Sequence, residues 1–411
     1  MTTDGAAVMV KVGRILPVPH HQLCLAHAVQ LAVLDVLYKN SPQTETCEDT
    51  GSCSDSDIEE DGEDGFVIER TRERRLLIDD YKAIIKKVRS VVKIFKNSPT
   101  KNDAMLQKYV QAEFGKELQL LLDCRTRWNS LATMLERFLK LKSCIQKALI
   151  DVKSDISFSD TEIACLQNLH TCLDMIKSTV EVLCRRNSTI LTADTALKFL
   201  VKSLENQYSV TGEKLANSLK RRIKERRLYK VVGALQYLQN PNQFMNGTEE
   251  DDDTYQKPTY DEMKNLICQT AALNGDNCTS TSANKNSSSE TPCESDSETP
   301  SLSFKELLDR HIISLASDSR DPQPHPSSSP SGSDLPTLIH VEMALYENGG
   351  GCGEILKTVL NRLLAIPPTS VESERAFSTA GIFCNKMRSR LNDDTLDGFM
   401  FLRSRLLKNT A

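Results

Sequence analysis

The chain has 411 residues, 39% of them hydrophobic and 5% aromatic, which is enough apolar material for two or three compact domains. No apolar run approaches the roughly 20 residues that a membrane-spanning helix needs, and the first twelve residues lack the apolar stretch of a signal peptide. We therefore expect no membrane partner. We also expect a reducing compartment, in which most of the 13 cysteines are buried thiols.

The net charge of −5 is unevenly distributed. Residues 45–64 contain ten acids and no Lys or Arg, and residues 249–253 are five consecutive acids. Without these fifteen acids the remaining chain carries a net charge of +10. A basic body suits a polyanionic partner such as nucleic acid, although charge alone does not establish one.

Residues 1–40 resemble part of a larger domain. Small residues over 6–13 predict a helix, and the strongly apolar run over 28–37 predicts a buried segment. Since the first element has no partner within this range, we expect further chain upstream. Residues 41–68 are acidic and poor in large apolar side chains. They cannot bury enough surface to offset the entropy of ordering, so we predict a disordered insertion.

Residues 69–245 carry a helical pattern. Apolar residues from Leu76 to Phe95 recur at spacings of three and four, and Lys and Arg occupy the opposite face. Further helices are predicted near residues 104–122, 129–150, 160–185, 192–208, 211–226 and 227–239. No alternation with period two indicates a strand in this range.

A second low-complexity region covers residues 246–335. It begins with acids and continues with a Ser/Thr/Asn tract, which is typical of a linker. The apolar segment Phe304–Leu315 predicts a short helix inside it.

Residues 336–411 return to an ordered pattern. They predict a helix over Ile355–Leu364, a second helix that begins with a capping box between Thr369 and Glu372, and a third from about Asn392.

Two groups of polar residues have an ordinary interpretation beside the functional one. The basic clusters 70–96, 220–230 and 386–390 either contact phosphates or form solvated helix faces. Cys24 and His27 do not by themselves predict zinc, because zinc takes about four ligands, usually as two pairs. His20 and His21 could add two ligands, but adjacent His residues rarely bind one ion well, and the other cysteines form no C-x-x-C pair. Packing of Cys24 and His27 against the core is the favoured interpretation.

The most specific motif lies between Leu364 and Leu407. It reads LAIPPTSVESERAFSTAGIF, continues through MRSRL and ends in an apolar helix. This order is similar to the C-terminal signature of the hAT family of transposases, which forms a helical dimerisation module. The resemblance implies a homodimer or higher homo-oligomer. The apolar residues expected at its interface are Phe377, Phe383, Leu391, Leu396, Phe399 and Leu406.

A second motif, RTRWNS at residues 125–130 with MLER at 134–137, resembles the start of the family's helical insertion domain. The resemblance implies that Arg127 and Trp128 contact DNA, since a cation beside an indole ring can hold an unstacked base. The alternative, in which Trp128 packs in the core, stays open.

The third motif concerns carboxylates. Asp4 resembles the second of three metal-binding carboxylates on the family's ribonuclease-H-like core, and Glu374 matches the third. Three carboxylates are needed because two Mg²⁺ ions clamp the attacking and leaving oxygens. This sequence offers no counterpart of the first Asp, and Val8 stands where relatives have Asn. We therefore expect Asp4 and Glu374 to be idle, with Mg²⁺ required only if the triad is restored.

Together these patterns predict a mainly α protein. It has a partial ribonuclease-H-like α/β core (1–40), a helical insertion domain (69–245), a linker (246–335) and a C-terminal dimerisation region (336–411). The BED-type zinc finger of relatives is not in this sequence, so we expect a C-terminal portion of such a protein. The predicted function is non-catalytic self-association with DNA binding, in the nucleus and without a small-molecule substrate. The alternative is a DDE-type transposase whose first Asp lies upstream.

Overall fold

The computed structural model describes residues 1–40, 75–77, 79–123, 128–246, 253–273, 303–317, 335–383 and 392–409. The first helices are α1 (Ala7–Ile15), α2 (Leu25–Leu37), α3 (Asp79–Lys96), α4 (Pro99–Lys101), a π-helical stretch (Asn102–Gln107) and α5 (Lys108–Phe114). The central helices are α6 (Trp128–Lys140), α7 (Lys142–Asp151), α8 (Asp160–Leu183), α9 (Ile190–Glu205), α10 (Val210–Arg226) and α11 (Tyr229–Gln239). The remaining helices are α12 (Pro241–Asn246), α13 (Tyr260–Ala272), α14 (Phe304–Ser317), α15 (Leu335–Glu347), α16 (Glu354–Leu364), α17 (Val371–Phe383) and α18 (Asp393–Asn409), with a 3₁₀ turn at Asp253–Tyr255.

The described residues are mainly α-helical, as the sequence predicted. Strands are short: β1 (Thr2–Thr3) pairs in parallel with β2 (Gln22–Leu23), and β3 (Tyr38–Asn40) pairs antiparallel with β4 (Arg75–Leu77). The chain divides into two compact units. Unit 1 comprises residues 1–29, 175–208 and 219–368, and unit 2 comprises residues 30–174, 209–218 and 369–411. This division does not follow the linear domain boundaries expected from the sequence.

Unit 1 contains the parallel pair β1–β2, joined through α1. His21 fixes this element, because its Nε2 lies 2.8 Å from the Thr3 hydroxyl. Gly13 of α1 packs on the same imidazole ring, where a Cβ would come within 2.3 Å of ring atoms. The predicted helix over 6–13 is therefore present and extends to Ile15.

The main core of unit 1 lies between α11, α13, α15 and α16. Leu235, Ile267, Met343 and Leu356 are among its fully buried side chains. Tyr237 is also fully buried there, and its hydroxyl donates a 2.8 Å hydrogen bond to Glu347.

Helix α13 corrects the expectation of a linker over 246–335. Thr259 and Glu262 form a reciprocal capping box that begins the helix, and Met263, Leu266 and Ile267 are buried at helical spacing. The prediction missed α13 because its three turns are surrounded by polar, low-complexity sequence, which dilutes the apolar signal in a wide window. The Ser/Thr/Asn tract itself lies outside the described residues.

Unit 2 contains α3 to α7, and its core includes Ile85, Val92, Leu135 and Phe138. Ile85 and Val92 are among the apolar positions that the periodicity of the sequence predicted for a helical domain. A correction concerns Leu76 and Leu77, which were assigned to the first helix. They belong instead to β4, where pairing with Tyr38–Asn40 satisfies backbone groups that the local sequence pattern does not reveal. The predicted acidic insertion 41–68 lies outside the described residues.

Candidate self-association surface and inherited carboxylates

Helices α17 and α18 carry the residues that the sequence assigned to dimerisation. Pro367 and Pro368 precede α17, and Ser370 stands directly before its first residue, Val371. Asn392 begins α18, because its side-chain Oδ1 accepts the backbone N–H of Thr395 at 3.0 Å. Both helices are therefore preceded by a residue type whose side-chain oxygen can accept a hydrogen bond from a free backbone N–H group of the first turn.

The start of α17 differs by one residue from the expected capping box. Its hydrogen bonds include one from the Ser370 hydroxyl to Glu374 Oε1 at 3.0 Å, and the Ser370 carbonyl accepts from the N–H groups of Ser373 and Glu374. Glu372, which the box would have paired with Thr369, forms an ion pair with Arg375 one turn later. The helix start thus falls at Ser370 rather than Thr369.

An aromatic contact joins the two helices within unit 2. The rings of Phe383 and Phe399 stack with their centroids 5.5 Å apart and an angle of 17° between their planes. Phe383 is half-buried, as is Leu396. Phe383 and Phe399 therefore stabilise the helical pair itself, in addition to any role in association.

The outer surface of the pair exposes large apolar side chains. Phe377 is 78% exposed, Phe399 40% and Leu406 65%. Sequence analysis missed Phe401 and Leu402, which are 61% and 57% exposed. The signal for Leu402 was present, since Phe399, Leu402 and Leu406 recur at spacings of three and four and so share one helix face. Phe401, two residues after Phe399, lies outside that spacing. Leu391, the remaining candidate, lies outside the described residues.

We call the surface formed by Phe377, Phe399, Phe401, Leu402 and Leu406 the apolar hairpin surface. Clusters of exposed aromatic and aliphatic side chains are costly in water and typically mark contact with another molecule. Arg405 lies 5.4 Å from the centroid of the Phe401 ring, which places a cation at the edge of this surface.

Asp4 lies in unit 1, directly after β1. Its Oδ1 accepts the backbone N–H of Ala6 at 3.0 Å, just before α1. Arg226 holds this loop from the other side, with hydrogen bonds from its guanidinium to the main-chain carbonyls of Asp4 at 3.0 Å and Cys24 at 3.2 Å. Burial of the guanidinium lowers the pKa of Arg226.

Glu374, the second inherited carboxylate, lies in unit 2 and is half-exposed. Asp4 and Glu374 thus belong to different units, and each accepts at least one hydrogen bond from its own unit. Within the part of the chain that the structure describes, no three His, Cys, Asp or Glu side chains form a group that could hold a metal ion. No described helix is both long and apolar enough to cross a bilayer.

The predicted DNA-contacting pair is Arg127 and Trp128, at the point in the sequence where α6 begins. Arg127 lies outside the described residues. Trp128 is the first residue of α6, but its side chain is also outside them. Whether Trp128 stacks on a base or packs in the core therefore stays a prediction.

The predicted basic clusters differ in their ion pairing. On α3, Lys87 pairs with Glu162 at 2.8 Å, and Arg89 with the buried Asp123 at 2.8 Å. The face of α3 that carries Arg89 also presents exposed lysines: Lys82, Lys86, Lys93 and Lys96. This row of cations, which we call the α3 lysine row, has the spacing of a single helix face and suits phosphate contacts.

In the cluster over 220–230, several of the cations form ion pairs with acids of the same unit. Lys220 pairs with Glu205 at 2.8 Å and Lys230 with Glu262 at 3.1 Å. Arg227 forms a buried ion pair with Asp194, in which Nε donates to Oδ1 at 2.6 Å. The third cluster, 386–390, lies outside the described residues.

Comparisons with known proteins match two separate stretches of the chain. Residues 75–172 match the family model described as the ZBED1 RNase-like helical domain. Residues 346–406 match the model described as the hAT family C-terminal dimerisation region. The second match covers α16, α17 and α18 with the whole apolar hairpin surface. The search of curated proteins found no match to the chain.

Proposed function

Since the chain belongs to the hAT family of transposase-derived proteins, we propose that it is a non-catalytic nuclear protein that self-associates through the apolar hairpin surface and binds DNA. The observation that carries this proposal is the coincidence of that surface with the family's dimerisation region. Isologous contact between two copies would cover each surface with its counterpart.

Self-association is tested with the pair Phe377→Asp and Leu402→Asp. Both side chains are well exposed in unit 2, so their replacement does not disturb the core. Burying a Phe or Leu side chain contributes about 1.5–3 kcal/mol, so losing two per protomer predicts association weaker by at least about 100-fold. Sedimentation velocity across a range of concentrations measures the effect.

A matched control separates this surface from general loss of apolar side chains. Ile150 and Val210 are 76% and 68% exposed in the same unit, outside α17 and α18. The variant with Ile150→Asp and Val210→Asp should associate like the wild type. Equal association constants for the wild type and the Phe377→Asp, Leu402→Asp variant would contradict the proposed surface.

DNA binding is supported by the α3 lysine row, which lies in the range that matches the helical domain model. Contacts of Lys side chains with phosphates release counterions, so binding should weaken steeply as salt concentration rises. A salt-dependent mobility shift is the direct measurement.

The non-catalytic part of the proposal is supported by the bonds of the two inherited carboxylates. Asp4 uses Oδ1 to hold the turn before α1, and Glu374 uses Oε1 to accept from Ser370. These hydrogen bonds give both carboxylates a role in local structure. Such a role is consistent with the proposal that they take no part in catalysis.

A second candidate function is a DDE-type transposase. Asp4 and Glu374 both stand at the family's motif positions, which favours it. This function requires a further Asp from outside this sequence, together with Mg²⁺. A nicking assay on terminal-repeat DNA with a longer chain is the test, with Asp4→Ala and Glu374→Ala as controls. Nicking that both substitutions abolish would replace the non-catalytic proposal.

A further inference from the structure

Helix α14 lies on a face formed by α9 and the end of α8, all within unit 1. It begins at a capping box, since the Ser303 N–H donates to Glu306 at 2.9 Å and the Glu306 N–H donates to the Ser303 hydroxyl at 3.4 Å. The helix therefore carries its own start signal and does not depend on a neighbouring element for it.

One narrow apolar stripe attaches α14 to unit 1. Phe304, Leu308 and Ile312, each four residues apart, face Val182 of α8 and two residues of α9, Ala196 and Phe199. Leu308 is fully buried, and the rings of Phe304 and Phe199 have centroids 5.4 Å apart. This is the geometry of an amphipathic helix laid into a groove.

Two ion pairs flank the stripe and set the orientation of the helix. Lys305 Nζ lies 2.7 Å from Glu181 Oε2, and Asp309 Oδ1 lies 2.8 Å from Arg185 Nη1. A helix placed in the reverse direction would not meet both charges. We call the face that bears Glu181, Val182, Arg185, Ala196 and Phe199 the α14 groove.

The attachment of α14 is slight compared with that of other helices in unit 1. Among residues 303–314, whose side chains the structure describes, Leu308 alone is buried, whereas α13 buries five residues. Leu307 and Ile313 are exposed on the outer side of α14. Both ion pairs are also partly exposed, and such pairs hold weakly.

The connections to α14 are long. The sequence has 31 residues between α13 and α14 and 17 residues between α14 and α15. Even the shorter connection, of 17 residues, is long enough to span up to about 56 Å. The lengths of the connections therefore do not require α14 to lie in the groove of its own chain.

From the thin contact, the paired charges and the long connections, we propose that the α14 groove is an exchangeable helix-binding site. It takes an amphipathic helix with apolar residues at i, i+4 and i+8, a cation at i+1 and an acid at i+5. Helix α14 occupies it within the same chain, and the α14 of a second copy occupies it when the first is displaced. This inference goes beyond the proposed self-association through α17 and α18.

Binding of a labelled synthetic peptide of residues 303–317 to the full chain tests the proposal by fluorescence anisotropy. In wild type the chain's own α14 competes at an effective concentration on the order of 1 mM. Leu308→Asp in the chain should weaken that competitor, so the variant should bind the peptide at least tenfold more tightly than wild type does.

The ion pair with Arg185 provides the specificity control. Adding Arg185→Asp to the Leu308→Asp chain should weaken peptide binding, and a peptide with Asp309→Arg should bind this chain better than the native peptide does. If Leu308→Asp does not fold, the chain with Lys305→Glu and Asp309→Arg displaces α14 by reversing the two flanking charges and leaves the buried Leu308 in place. The proposal would be overturned if a folded variant failed to bind the peptide at about 1 mM. It would also be overturned if the charge changes at Arg185 and Asp309 left the affinity for the peptide unchanged.

Discussion

Gly353 makes room for an unusual start of α16, the first helix within the matched dimerisation region. Glu342 on α15 accepts the N–H groups of Ile355 at 3.4 Å and Leu356 at 3.1 Å, and so caps α16 from a neighbouring helix. A Cβ on Gly353 would lie 2.2 Å from the Glu342 carboxyl carbon. The φ of Gly353 is −67°, so the backbone accepts alanine and only the space for Glu342 forbids it.

The cost of Gly353→Ala follows from these contacts. Displacing Glu342 removes hydrogen bonds to a charged group, which contribute about 1.5–3 kcal/mol, and a negative charge at a helix N-terminus, which contributes about 0.3–1 kcal/mol. Alanine offsets about 0.4–1 kcal/mol by restricting the unfolded chain. We therefore expect a net loss of about 1–3 kcal/mol in the local stability of α16.

Native-state hydrogen exchange of the α16 amides measures this loss, which corresponds to exchange roughly 5- to 150-fold faster. If the effect passes through Glu342, the double variant Glu342→Ala, Gly353→Ala should lose no more stability than the worse single variant. Gly381→Ala is the matched control, since nothing lies within 4 Å of a Cβ there and a helical alanine should stabilise by about 0.5–1 kcal/mol. Additive losses in the double variant would refute the mechanism.

Three further outcomes follow from buried and charged groups. Arg227→Leu leaves Asp194 as a buried carboxylate without this partner, and should cost about 3 kcal/mol in a denaturant titration. Burial and, secondly, a hydrogen bond to a carboxylate raise the pKa of Tyr260 to about 12. Its stabilisation is therefore complete below pH ~10 and is lost as the pH rises towards 12, and the tyrosinate absorbance of Tyr260→Phe should lack the step near pH 12. Lys86→Glu with Lys93→Glu should weaken DNA binding and reduce its dependence on salt in a mobility-shift titration.

The sequence predicted helices wherever one face was apolar over several turns. Ile85 and Val92 are buried as their spacing indicated, because the period of a helix determines which residues share a face. The same reasoning failed at Leu76 and Leu77, since strand pairing depends on a partner that is distant in sequence. Reasoning from apolar spacing also missed α13, although the capping box of Thr259 and Glu262 can be recognised in the sequence.

The candidate site was predictable as a set of residue types but not as a surface. The motif around Glu374 identified the helical pair. Phe377 is exposed on that pair, and its place in a dimer interface stays a prediction. Phe383 and Phe399 also stack on each other, which spacing within one helix cannot show. The separation of Asp4 and Glu374 into different units likewise depends on contacts that no local pattern encodes.

Glu374 and Phe377 lie three residues apart on α17 and so share a face. A dimer contact at Phe377 would therefore remove water from the half-exposed carboxylate of Glu374, and desolvating a charge opposes association. We expect Glu374→Gln, which keeps the size and an acceptor for Ser370, to tighten the dimer about threefold to tenfold in sedimentation equilibrium. Ser370→Ala serves as the control for loss of the hydrogen bond alone. A dimer weakened by Glu374→Gln would mean that the carboxylate meets a cation of the second copy, and that the surface around Phe377 is held together by charge as well as by apolar contact.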